Sequence, residues 1–277
     1  MNRNVGFVAS LVLVGSLVLG AGTARAEDND RRGPNGCKDL PSYADLKAAL
    51  ETATGNPPAG NGGFNLEMWA TVVNRDGVVC AVAFTGGNRG DQWPGSRVIS
   101  AQKANTANAF SLPGLALSTA NLYSAVQPGG SLFGLQESNP VSTAVAYGGN
   151  AANFGHANDP MVGGRIGGVN VFGGGLALYD SDGELLGGVG VSGDTSCADH
   201  NVAWRTRSNL NLDYVPAGVA AIFAGDLTHP DNIIFDIAAP PAGHMSSVSA
   251  TGFGHPHCGP GAPALETALA AALPPTQ

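Results

Sequence analysis

Apolar residues along this chain fall into short blocks separated by glycine- and aspartate-rich turns. Leu66–Val73 and Val78–Phe84 are near-continuous apolar runs split by Asn74-Arg75-Asp76-Gly77. Val169–Tyr179 and Glu184–Val191 repeat the arrangement around Asp180-Ser181-Asp182-Gly183. Asp-Gly marks a tight turn because glycine takes positive φ without steric cost, so each pair predicts a β-hairpin. Between the hairpins, Ser96–Ser111 is rich in Ala, Lys, Gln and Asn and predicts a helix, broken by Pro113-Gly114. Leu117–Val126 reads as a second short helix. Ser42 is placed to cap a helix over Tyr43–Thr54, with Leu46, Ala49 and Leu50 on its apolar side. After Ser192-Gly193-Asp194 a polar-capped helix carries Asp199, His200, Trp204, Arg205 and Arg207.

Beyond that helix, Val215–Phe223 and Asn232–Ile237 read as further strands or packed extensions, and Ala264–Ala272 as a short terminal helix. Pro128–Arg165 is too long for an ordinary connection and reads as a functional loop or an insertion. Antiparallel hairpins with helices between and after them predict an α+β layer fold.

The first residues change the picture of location. Arg3, an apolar stretch Val5–Ala21 and an Ala24-Arg25-Ala26 site have the form of a secretory signal. The apolar stretch lacks a following charged stop-transfer segment, so no membrane span is expected after cleavage. The organisation read from the chain is a signal peptide over 1–26 and a flexible polar segment over 27–41. A main domain follows over 42–237, with an insertion at about 128–165, and then a Pro/Ala/Gly-rich extension over 238–277. The expected location is secreted or periplasmic.

The formal charge is −8, and removing the leader takes away two arginines and no acid. Such a balance excludes nucleic acid and anionic membrane surfaces as main partners, because both are bound by neutralising phosphates. Cys37, Cys80, Cys197 and Cys258 predict two disulfides in an oxidising compartment. Three pairings exist. The favoured one ties the two tails through Cys37–Cys258 and the first hairpin to the last helix through Cys80–Cys197.

Three segments together resemble a known family: the hairpin GGGLALYDSDGELLGGVGVSGD, the Asp199-His200 pair after it, and the upstream helix SRVISAQKANTANAFS. They are similar to the haem-binding GlcG/HbpS-type proteins, whose domain also forms the C-terminal part of PduO. The likeness spans about Tyr43 to Arg207. It implies an antiparallel sheet of about five strands packed against helices, assembly into homo-oligomers, and haem or a related tetrapyrrole as ligand. It also implies that the Ser96–Ser111 helix lines the haem region, with Thr106 an oxygen donor by position.

Imidazole is a common iron ligand, which singles out His200 with Asp199 beside it. Neighbours on a helix point about 100° apart, so Asp199 serves equally as an electrostatic aid to the helix start. Ser192, Asp194, Thr195 and Ser196 are placed to cap that helix and to present N–H groups to a propionate. Arg97, Arg205 and Arg207 are the candidate propionate partners. His156 is a candidate ligand in the long loop, and Trp93, Trp204, Phe172 and Phe110 are flat surfaces for a macrocycle.

Gly188–Gly193 matches G-x-G-x-x-G, with Asp213 twenty residues on, but it sits in the second arm of a hairpin and not after a parallel strand. Gly190-Val191-Ser192-Gly193-Asp194 lacks the last glycine of a nucleophile elbow. His255-Pro256-His257-Cys258, with His244, has the look of a metal cluster, unless a disulfide withdraws the Cys258 thiolate.

The reading is a secreted haem-binding or haem-sensing protein without turnover. The alternatives are a structural oligomer with no small ligand, or a hydrolase built on Ser192, His200 and Asp199 or Asp194.

Overall fold

The computed structural model describes residues 36–55, 60–238, 248–259 and 263–277. The expected signal sequence, residues 27–35 and His244 lie outside the described residues.

Helix α1, Tyr43–Thr54, begins as a capping box. The Ser42 hydroxyl accepts from the Asp45 N–H, and the Asp45 carboxylate accepts from the Ser42 N–H. Strands β1 (Trp69–Asn74) and β2 (Val79–Phe84) form the first hairpin. Asn74 organises its turn by accepting from the Asp76 and Val78 N–H groups, each at 2.9 Å. Helix α2 covers Ser96–Phe110, and α3 is the short Thr143–Tyr147. Strands β3 (Gly175–Tyr179) and β4 (Leu185–Ser192) form the second hairpin, where Asp180 accepts from Asp182 and Glu184 in the same manner. Helix α4 runs over Ser196–Asn209, a two-residue ladder pairs β5 (Ile237–Ala238) with β6 (Val248–Ser249), and α5 covers Pro263–Ala271.

The main sheet has the order β2-β1-β4-β3, all antiparallel, with Trp69 opposite Ser192 where the hairpins join. It has four strands among the described residues, against the five or so that the resemblance implies. The α+β class is as expected. Helices α1 and α4 cover one face, where Leu46, Leu50, Ala70, Val72, Val189, Val202 and Trp204 form the larger core. Helix α2 covers the other with Trp69, Val73, Val82, Val98 and Ala104. Both faces are buried, which is why the strands read as continuous apolar runs rather than alternating ones.

The glycines of β4 serve this layering. A β-carbon at Gly190 would overlap the Ser100 carbonyl oxygen and the Ala104 nitrogen, and one at Gly188 the Ala104 carbonyl oxygen. Helix α2 therefore lies directly on strand backbone, and the first two glycines of the G-x-G-x-x-G run serve helix packing, while Gly193 packs against Glu67 and Met68.

Several expectations are corrected. Val169–Gly174 is not strand. It crosses α2 as irregular chain, held where the Thr106 hydroxyl accepts from the Asn170 N–H and Asn105 donates to the Gly168 carbonyl. Leu117–Val126 forms two 3-10 turns, Thr119–Leu122 and Ser124–Val126. The end of 215–223 bends into a π-helical turn, Ala220–Ala224, that runs one residue past it, and of the second stretch only Ile237 is paired as strand.

The long segment 128–165 is mostly exposed or half-buried and is anchored to the core at Ala146, Asp159 and Met161. Arg97 makes a bidentate pair with Asp159, donates to the Ala146 carbonyl, and stacks on Phe154. Ala146, Met161 and Ile166 complete the core beside α2.

The cysteines pair as Cys37–Cys80 and Cys197–Cys258, not as Cys37–Cys258 and Cys80–Cys197. Cys37 precedes α1, which packs against the β1–β2 hairpin, so it reaches β2. The C-terminal chain returns to the start of α4, so Cys258 reaches Cys197.

Candidate functional site

The first turn of α4 gathers a buried set of polar groups. Thr195 caps the helix by accepting from the Ala198 N–H. Asp199 is buried, and its carboxylate accepts from the Gly193 and Asp194 N–H groups and from the Lys103 ammonium at 2.7 Å. Burial pushes the Asp199 carboxyl up to about 6 against the pull of Lys103. Burial likewise lowers the Lys103 ammonium, with Asp199 opposing. This pair fastens α2 to α4 across the end of β4.

His200 lies on the next face. It is fully buried, and neither ring nitrogen makes a hydrogen bond among the described residues; the Asn232 amide lies near the ring but outside bonding geometry. Burial, with His255 and Arg207 nearby, pushes its pKa down to about 3, so the ring is neutral at physiological pH. Gly173 makes room for it, since a β-carbon there would lie 3.1 Å from that of His200. The ring centroid is 6.1 Å from that of Trp204, which in turn is 5.5 Å from that of His229.

The C-terminal chain closes over this side of α4. Trp204 donates its indole N–H to the Pro274 carbonyl, His229 Nε2 contacts the Leu273 carbonyl at 3.0 Å, and Asn232 donates to the Ala270 carbonyl. Arg207 is buried in a bidentate pair with Asp231 at 2.7 and 2.8 Å. Arg97 and Arg207 are thus both committed to internal carboxylates.

The remaining sequence candidates do not converge on His200. The Thr106 hydroxyl donates to the Gln102 carbonyl and accepts from Asn170 on the α2 side. Arg205 follows His200 by five residues, which turns it about 140° around α4. It is half-buried and donates to Asn61 and Gly60. Ser192 closes β4, and no hydrogen bond links it to His200, so no acid–base set of Ser192 and His200 is assembled. His156 is exposed in the long segment. Trp93 and Phe172 are exposed, whereas Trp204 is the one aromatic candidate buried beside the His200 ring.

One residue near His200 was undervalued in the sequence. His255 is buried, its ring lies 5.2 Å from that of Tyr123, and its Nε2 is 3.2 Å from Ser196 Oγ. Tyr123 and Pro256, on either side of it, also line a cavity of about 520 Å³ that continues along Gln127, Pro128, Ile237 and Ser249. That volume falls within the range of small-molecule sites. The His255-Pro256-His257-Cys258 motif was the available signal, but its neighbours on α4 are some sixty residues away in sequence.

Residues 47–207 match the family described as haem degrading protein HbpS-like. The chain belongs to the HbpS-like family. A Klebsiella pneumoniae protein designated ORFY is 24% identical over 60% of this chain and 86% of its own, with a TM-score of 0.41. The protein in a crystal structure of a PduOC:haem complex is 22% identical over 62% of this chain and 96% of its own, with a TM-score of 0.42. No curated protein matches the chain. The HbpS-like match ends within α4, so the segment that closes over His200 lies beyond it.

Proposed function

We propose that this protein binds haem or a related tetrapyrrole outside the cytoplasm, with His200 as the iron donor. Membership of the HbpS-like family supports the ligand class. The observation that carries the assignment is the His200 ring itself. A buried polar group left without a partner costs about 1–3 kcal/mol, and a native exception calls for an explanation such as an absent ligand. A neutral imidazole with its lone pair uncommitted is a chemically suitable donor for haem iron.

Haem would supply an iron centre with an open coordination position. The chain's own residues would fix and shield it. The Lys103–Asp199 pair holds the first turn of α4, Gly173 leaves space at the ring, and the C-terminal segment excludes water. His200 is fully buried, so haem reaching it would have to open the packing around the ring, and binding and opening are coupled. The cavity lined by Tyr123 and Pro256, beside His255, would be the volume that takes the macrocycle. Two disulfides accord with an extracytoplasmic site of action.

Haemin titration of residues 27–277, followed by Soret absorption, tests this. A saturable shifted band near one haem per chain supports it, and no saturable shift contradicts it. The family description favours one second reading, that bound haem is degraded. Adding ascorbate and oxygen to the complex separates the two: release of chelatable iron with loss of the band marks degradation, and a persistent band marks binding without turnover.

A further inference from the structure

The Cys197–Cys258 cystine has a third donor against it. One ligand atom from each of Cys197, His255 and Cys258 lies within 4.8 Å of the other two. Two of the three residues are buried and Cys258 is half-buried. His255 is set up as a ligand. Its Nδ1 lies 2.7 Å from the Pro256 carbonyl, which can only accept, so Nδ1 carries the proton. Nε2 is then the bare nitrogen, and it faces Ser196 Oγ, which is itself 3.2 Å from Cys258 Sγ. A second nitrogen tied to a backbone carbonyl is the usual support of a metal-bound histidine.

The sulfurs are equally well prepared. Cys197 lies in the first turn of α4, where the helix end favours a thiolate. Its N–H points at Cys258 Sγ at 3.0 Å. Glu266 of α5 fixes the turn that carries Cys258 by accepting from the Cys258 and Gly259 N–H groups and pairing with His257 at 3.0 Å. His257 is therefore occupied, and the metal-type cluster consists of His255 and Cys258 with Cys197, which no local sequence motif contains.

We propose that Cys197, Cys258 and His255 form a zinc site that is closed while the cystine is intact and opens when it is reduced. A dithiol reductant supplies two electrons and two protons to the Cys197–Cys258 bond and is itself oxidised to a disulfide. Each sulfur becomes a thiol. Zinc then forms one bond to each sulfur, displacing one proton from each, and a third bond to His255 Nε2 with no proton released. Ser196 Oγ or water completes the tetrahedron. The intact cystine offers no thiolate, so the oxidised protein takes no zinc here. The site is independent of the haem reading.

The test uses the chain from residue 27, oxidised or reduced with a phosphine that is then removed. Zinc is titrated against a chromogenic chelator, cobalt is used as a spectroscopic stand-in, and near-ultraviolet circular dichroism follows the fold. The expected result is one tight zinc per reduced chain, none per oxidised chain, and a thiolate-to-cobalt charge-transfer band. Cys197→Ser abolishes binding. His255→Ala weakens it on the order of a hundredfold. Cys37→Ser, which breaks the other cystine, leaves it intact. Equal uptake by oxidised protein, survival in Cys197→Ser, loss in Cys37→Ser, or uptake only by a chain whose fold is lost and not regained with zinc would each overturn the proposal.

Discussion

Lys103 and Asp199, 96 residues apart, meet at 2.7 Å in the interior, where both side chains are almost wholly shielded from water. Lys103 also donates to the Val191 carbonyl, and Asp199 also accepts from two backbone N–H groups. The ammonium and carboxylate thus join α2, the end of β4 and the start of α4 in one junction.

Removing one partner of that junction is expected to be far worse than removing both. Asp199→Ala leaves a buried ammonium unpaired and should lower stability by about 3–5 kcal/mol in urea unfolding. Lys103→Met combined with Asp199→Leu should recover most of the loss. A single variant within 1 kcal/mol of wild type, roughly the value of an exposed pair, would show that the charges are solvated.

The contact of α2 with strand backbone predicts sharp intolerance at one glycine. Gly190→Ala must push the helix off the sheet, and overpacking of this kind costs about 1–3 kcal/mol or more. Gly114→Ala meets nothing within 4 Å and should be near neutral. Thermal unfolding of the two variants side by side measures the difference.

His200 sets a pH dependence of defined sign. Its folded pKa of about 3 lies below the ordinary 6.5, so its contribution is present above pH 6.5 and lost as pH falls toward 3. Asp199 acts oppositely: its carboxyl is raised from 3.8 to about 6, so its contribution is full below pH 3.8 and lost as pH rises through 6. Comparing wild type with His200→Leu cancels the Asp199 part. Relative to wild type, the variant should gain about 3 kcal/mol between pH 7 and pH 4. An unchanged difference across that range would mean that the ring is protonated or exposed in the folded protein.

The disulfide pattern is directly checkable. Non-reducing peptide mapping should recover Cys37 linked to Cys80 and Cys197 linked to Cys258. Recovery of Cys37 with Cys258 would require a different course for the C-terminal chain.

The local parts of this structure were legible because their causes are local. Asp-Gly turns with Asn74 or Asp180 bonding the following N–H groups announce both hairpins, and Ser42 with Asp45 announces α1. What escaped the sequence depends on partners far along the chain. Segment 128–165 looks loop-like by composition, yet Arg97 holds it through Asp159, 62 residues away. The apolar Val169–Val171 looks like strand, but Thr106 and Asn105 hold that stretch of chain across α2. At the site, His200 was visible as a residue type, while its isolation was not, since that isolation comes from Gly173 and the C-terminal segment.

The most direct measurement is a haemin titration of wild type and His200→Ala under identical conditions, followed by Soret absorption. One saturable haem per wild-type chain, with the shifted band lost in His200→Ala while its circular dichroism is unchanged, is the predicted result. An unaltered band in a folded His200→Ala protein would contradict the assignment of His200 as the iron donor.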